Sequence, residues 1–68
     1  MNNHVRERRK DLGWTQAQLG DRVGVSRQTI NAIEAGRHDP SLTLAFDLAD
    51  ALQQRIDTLF EPDRSAHV

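Results

Sequence analysis

Residues 24–37, GVSRQTINAIEAGR, set Arg27, Gln28 and Asn31 on a short helix with only alanines beside them. Punctuation frames that helix. Ser26 is an N-cap type, its side-chain oxygen able to accept a first-turn N–H, and Gly36 permits the left-handed turn that closes a helix. At about 100° per residue, Thr29, Ile30 and Ile33 gather on one side of residues 27–35, while Arg27, Gln28, Asn31, Ala32 and Ala35 gather on the other. The first side is a core face. The second lacks the Lys and Glu of an ordinary solvent face and combines forked hydrogen-bonding groups with small side chains that allow close approach.

Those groups match the chemistry of base-pair edges. An arginine can fork onto guanine O6 and N7, a glutamine or asparagine can pair with adenine N6 and N7, and an alanine methyl can meet the thymine methyl. A plain solvent face with no reading role is the alternative.

Outward from this stretch the chain continues in helical punctuation. Gly24 ends a preceding helix over residues 16–23, which Thr15 opens with Gln18 three places on, the capping-box pattern that satisfies two free N–H groups. A first, largely charged helix over 4–12 (HVRERRKDL) stops at Gly13. After the Asp39–Pro40 turn, Ser41 caps a fourth helix from Leu42 to about Leu52, and IDTLF (56–60) adds a last turn before Pro62. No alternating run of β-branched residues is long enough for a strand. The reading is all-α: one domain over 1–68, its core at about 4–60, with the tail 63–68 expected to fray.

With 68 residues, 37% apolar and 28% charged, the chain has room for one small core. It has no cysteine, so neither a disulfide framework nor a thiolate metal site is available. His4, His38 and His67 share no metal-ligand spacing, and no carboxylate pair sits on an apolar face as acid–base chemistry requires. An enzyme, a cofactor and a metal are therefore not expected. No apolar run reaches the roughly 18 residues of a membrane span, and the basic start lacks a signal-peptide apolar region, so the expected location is the cytoplasm.

Net charge is −1, which by itself argues against phosphate binding. Its distribution argues otherwise. Residues 1–37 carry seven basic and four acidic side chains, a balance of +3, whereas residues 38–68 carry two basic and six acidic, a balance of −4. That is either a basic working face with an acidic back or ordinary scatter.

The segment QAQLGDRVGVSRQTINAIEAGR (16–37) resembles the helix-turn-helix of the lambda repressor/Cro-like (Xre-type) DNA-binding family. Gln16, Leu19, Val23, Gly24, Val25, Ser26, Ile30 and Ile33 stand at family spacing. RRKDLGWTQ resembles the family's first helix, and GRHDPSLTLAFDLADAL resembles the fourth-helix region of its small stand-alone bacterial members. The resemblance implies a compact five-helix, lambda-repressor-like domain whose helix-turn-helix, about 16–35, places its third helix in the DNA major groove. It further implies base reading by Arg27, Gln28, Asn31 and Ala32. Backbone contacts would come from Gln16, which also braces the reading glutamine, and from Arg37, Thr15, Arg22 and Thr29. Gln16 opens a helix, where free N–H groups and the dipole favour an anion.

Glu34 borders the DNA-facing edge, where a bare carboxylate would repel phosphate. The family pairs it with a helix-one arginine at the position of Arg9, so Arg9–Glu34 is expected to be a structural pair; accepting from cytosine N4 is the other reading. Two departures stand out. Gly20 replaces the family's usual alanine where helices two and three meet, at a helix cost of about 0.5–1 kcal/mol. QQRIDTLF (53–60) replaces a glycine-led loop, so helix four is free to run on. That helix has eight apolar positions among the eleven from Leu42 to Leu52. Either it is a central core helix, or part of it joins Leu59 and Phe60 in a self-association patch. Trp14 is expected to anchor the core between helices one and two.

The expected function is a sequence-specific double-stranded DNA binder and transcription regulator, most simply a homodimeric repressor on an inverted-repeat operator. A protein-interaction module is the alternative, such as a toxin-neutralising antitoxin using the acidic residues 38–68. So short a chain leaves no room for a ligand-sensing domain, and no small-molecule effector is expected.

Overall fold

The computed structural model describes residues 1–61, so the expectations for the tail 63–68, His67 and Pro62 lie outside the described residues. The elements are β1 (Asn2–Asn3), α1 (Val5–Asp11), α2 (Gln16–Val23), α3 (Arg27–Glu34), α4 (Leu42–Ala51), α5 (Ile56–Leu59) and β2 (Phe60–Glu61). The starts of α2, α3 and α4 follow the local code. Thr15 and Gln18 form both hydrogen bonds of a capping box, while Ser26 and Ser41 accept the N–H groups of Thr29 and Leu44 at 3.1 Å.

The ends of α1 to α4 share one geometry. Gly13, Gly24, Gly36 and Gln53 all take positive φ, and the N–H of each following residue returns to a carbonyl five positions back: Trp14 to Arg9, Val25 to Gly20, Arg37 to Ala32 and Gln54 to Ala49, all at 2.9–3.1 Å. Gln53, at φ 56°, is the exception in residue type. Helix four therefore does not run on through QQRIDTLF. It stops at Ala51, with Leu52 as its C-cap, because Gln53 accepts the left-handed conformation that glycine usually supplies.

The helices close over one core. Val5, Leu19, Ile30, Ile33, Leu48, Leu52 and Leu59 are fully buried, drawn from α1 through α5. Each such side chain contributes about 1.5–3 kcal/mol relative to exposure. Among the described residues the α2–α3 pairing is the most extensive, and α4 packs across α2. Gly20 sits at the tightest point of the helix-turn-helix. A Cβ there would lie 2.6 Å from the Val25 carbonyl oxygen and 3.4 Å from the Ser26 carbonyl carbon. In this chain the glycine lets the backbones approach more closely than a Cβ would allow without a shift, which the helix-propensity cost read from sequence does not reveal.

Three tertiary features depart from the sequence reading. Asn2 and Asn3 pair antiparallel with Glu61 and Phe60, a short two-stranded tie that no local pattern announces, and His4 N–H extends it to the Leu59 carbonyl at 2.9 Å. Leu59 and Phe60 are buried, rather than left exposed beside helix four. Helix four instead buries Ala45, Leu48 and Ala49 while leaving Leu42 70% and Phe46 55% exposed. Trp14 is half-buried at the margin of the core, its ring covered by the Arg22 guanidinium 4.0 Å from the ring centre. Among the described residues no helix is long and apolar enough to cross a membrane.

Candidate nucleic-acid interface

Ile30 and Ile33 lock α3 to the core, and that burial turns its opposite face outward. Arg27, Gln28 and Asn31 are exposed and Ala32 is half-buried among them. With Gln16 and Arg37 these four line one open depression of about 370 Å³. The structure thus gathers all four base-reading candidates and two of the backbone candidates in one place. Thr15 adjoins it as the N-cap of α2, engaged with Gln18. Thr29 is tied to the Ser26 hydroxyl at 3.0 Å, at the start of α3. Arg22 is not brought to the depression: its guanidinium stacks on Trp14, and it lines a separate hollow with Asp47 and Asp50.

The N-terminus of α2 opens beside this face. The capping box consumes the Gln18 N–H, leaving the N–H groups of Gln16 and Ala17, which a helix cannot satisfy internally. Those two donors, the positive dipole end and the nearby Arg27 and Arg37 favour an anion there.

Behind the face lies a charge cluster centred on Glu34. Arg9 donates Nε to Glu34 Oε2 at 2.7 Å and Nη2 to Oε1 at 3.1 Å, and its Nη1 donates to the Trp14 carbonyl at 2.7 Å. The Glu34 side chain is 0% exposed and that of Arg9 10%. Gln16 Nε2 also donates to Glu34 Oε1, at 3.1 Å. That contact ties the start of α2 to the end of α3. Arg6 Nε adds a longer contact to Oε1 at 3.4 Å. Burial alone would push the Glu34 carboxyl upward, but the hydrogen bonds from Arg9 and Gln16, the Arg9 charge and the Arg6 contact outweigh it and hold the carboxyl below its ordinary value. The carboxylate is thereby neutralised before any phosphate approaches. Arg6 was missed in the sequence although it stands three residues, one helical turn, before Arg9.

Three further contacts carried no sequence signal. Arg37 Nη2 donates to Asn31 Oδ1 at 3.0 Å. Asn3 Nδ2 donates to the Ile33 carbonyl at 2.8 Å while its Oδ1 accepts the Val5 N–H at 3.1 Å, so β1 links the start of α1 to the end of α3.

Comparison with known proteins agrees with this geometry. The helix-turn-helix family model matches residues 5–59. The chain belongs to the helix-turn-helix family of the Xre/lambda-repressor type. Members of this family are DNA-binding transcriptional regulators, not enzymes, and they occur in bacteria and archaea. An uncharacterized HTH-type transcriptional regulator of Methanothermobacter thermautotrophicus is 52% identical over 61 residues, 88% of each chain. Among solved structures, the P22 c2 repressor in complex with a synthetic operator superposes with a TM-score of 0.83 at 38% identity, covering 88% of this chain and 91% of that one. The restriction-modification controller protein C.AhdI from Aeromonas hydrophila gives 0.77 at 32% identity, covering 84% and 86%. This helix-turn-helix protein therefore shares its scaffold, α3 included, with an operator-bound repressor.

Proposed function

We propose that this protein binds double-stranded DNA sequence-specifically and represses transcription as a homodimer, acting in the cytoplasm. The observation that carries the reading is the depression where Arg27, Gln28, Asn31 and Ala32 of α3 lie open beside the N-terminus of α2. Arg27, Gln28, Asn31 and Ala32 contact base edges in the major groove; Gln16, Thr15, Arg37 and Thr29 contact the backbone, with Arg22 the weakest contributor because it is held on Trp14. The likeness to an operator-bound repressor supports this docking mode.

Two copies would place their α3 helices in successive major grooves about 34–36 Å apart. Support for a second copy comes from exposed Leu42 and Phe46, the first of which lines an open apolar depression of about 430 Å³ with Met1, Pro40, Ala45, Ile56 and Phe60. Selection from random duplex DNA at about 150 mM salt tests the proposal, with Gln28→Ala run in parallel. An inverted repeat should emerge, and Gln28→Ala should relax one position at a cost of about 1–3 kcal/mol. Folded protein that enriches no sequence refutes the reading.

A further inference from the structure

We infer that Arg37 is a specificity-determining residue: by donating to Asn31 it turns Asn31 from an adenine reader into half of a guanine reader. The inference rests on the base-reading role proposed for α3. An asparagine left to itself presents one acceptor and one donor, the pair complementary to the N6 donor and N7 acceptor of adenine. Here the acceptor is engaged, since Arg37 Nη2 donates to Asn31 Oδ1 at 3.0 Å. The assignment of oxygen and nitrogen on this amide follows from chemistry, because a guanidinium has only donors and its partner must be the oxygen.

The contact is held by backbone as well as by side chains. Gly36, at φ 76°, ends α3 and lets the Arg37 N–H return to the Ala32 carbonyl at 3.0 Å, so the Arg37 side chain starts from a fixed point within reach of Asn31. Both side chains line the same depression as Gln28 and Arg27. What this pair offers a base is the Nδ2 group of Asn31 beside the remaining N–H groups of Arg37, a surface of donors with a positive charge. Guanine answers it with two acceptors, N7 and O6, whereas adenine would turn its N6 donor toward the guanidinium. Both residues are exposed, so the bond adds little to the free protein. It strengthens when DNA excludes water from the groove.

The test is binding-site selection followed by titration of sites differing only at the base pair that Asn31→Ala relaxes. Wild type is expected to prefer guanine there by about 5- to 150-fold over adenine. Arg37→Ala should lose that preference or shift it toward adenine at this one position. Arg37→Lys should keep the wild-type salt dependence, because the charge remains, yet lose guanine preference with the fork. Circular dichroism would confirm that both variants are folded. If Arg37→Ala weakens every site equally, lowers the salt slope by about one and leaves the preference unchanged, Arg37 is only a phosphate clamp and the inference is overturned. Adenine preference in wild type would also overturn it while leaving base reading by α3 intact; failure of wild type to select any sequence would remove the base-reading role itself.

Discussion

Removing Glu34 should destabilise the domain even though its ion pair with Arg9 adds little net stability. Glu34→Leu leaves the Arg9 guanidinium, 10% exposed, with the Trp14 carbonyl as its remaining strong partner. Breaking a buried pair costs roughly 3–5 kcal/mol, and the lower end applies here because one good hydrogen bond and some solvent access survive. A chain of 68 residues has a total stability of roughly 3–10 kcal/mol, so the loss is a large share of the whole. Urea unfolding followed by Trp14 fluorescence should show a midpoint lower by about 3 M, for a slope of about 1 kcal/mol per M.

The double variant Arg9→Met/Glu34→Leu should recover to within about 1 kcal/mol of wild type, because no charge is then left buried. If Glu34→Leu is unfolded without urea, refolding of the double variant is the same signature. The pair also predicts acid behaviour. The carboxyl is held low in the folded state, so its contribution is present above the unfolded value of about 4.3 and is lost as pH falls through the lower folded one. Wild type should lose stability by this route below about pH 4, and Glu34→Leu should not. A Glu34→Leu loss under about 1 kcal/mol, or strictly additive single and double variants, would refute the reasoning.

Gly20→Ala should lower the melting temperature by roughly 5–15 °C, because the cost of about 1–3 kcal/mol for forcing a methyl against the Val25 carbonyl exceeds the helix-propensity gain of about 0.5–1 kcal/mol. A higher melting temperature would show that the turn yields freely. Gln53→Gly should stabilise by about 0.5–1 kcal/mol by relieving a non-glycine residue at φ 56°, net of the entropy glycine adds to the unfolded chain; an unchanged urea midpoint would contradict this.

His4 predicts an opposite pH sign from Glu34. Its imidazole is raised chiefly by the hydrogen bond to Glu7, against some desolvation, with the Glu61 and Glu7 charges and the Glu61 hydrogen bond assisting. This contribution is full below the unfolded value of about 6.5 and fades as pH rises through the folded one. Wild type should therefore exceed His4→Gln in stability more at pH 5.5 than at pH 8.5, and equal differences would exclude the clamp between Glu7 and Glu61.

Much of the architecture was legible because it is written in local chemistry. Ser26, Ser41 and the Thr15–Gln18 box each act on N–H groups within three residues, and Gly13, Gly24 and Gly36 end the helices they follow. Helix boundaries differ by a residue, with α1 at Val5–Asp11 against the expected 4–12 and α3 ending at Glu34 against the expected 35. The outward set Arg27, Gln28, Asn31 and Ala32 was legible for the same reason, since one period places Ile30 and Ile33 on the far side. Gln53 was opaque because glutamine rarely accepts positive φ.

The amino-acid sequence by itself determined where α1, α2 and α3 lie, the caps at Thr15, Ser26 and Ser41 and the face of α3 that turns outward, because each depends on residues no more than five positions apart. Tertiary structure alone decided what those residues meet. It joined Asn2–Asn3 to Phe60–Glu61, covered Leu59 and Phe60, exposed Phe46, surrounded Glu34 with Arg6, Arg9 and Gln16, and set Arg37 on Asn31. The physical reason is range: a cap is satisfied by its own neighbours, whereas burial, charge pairing and the orientation of an amide depend on which distant side chains the closed core brings within hydrogen-bond reach.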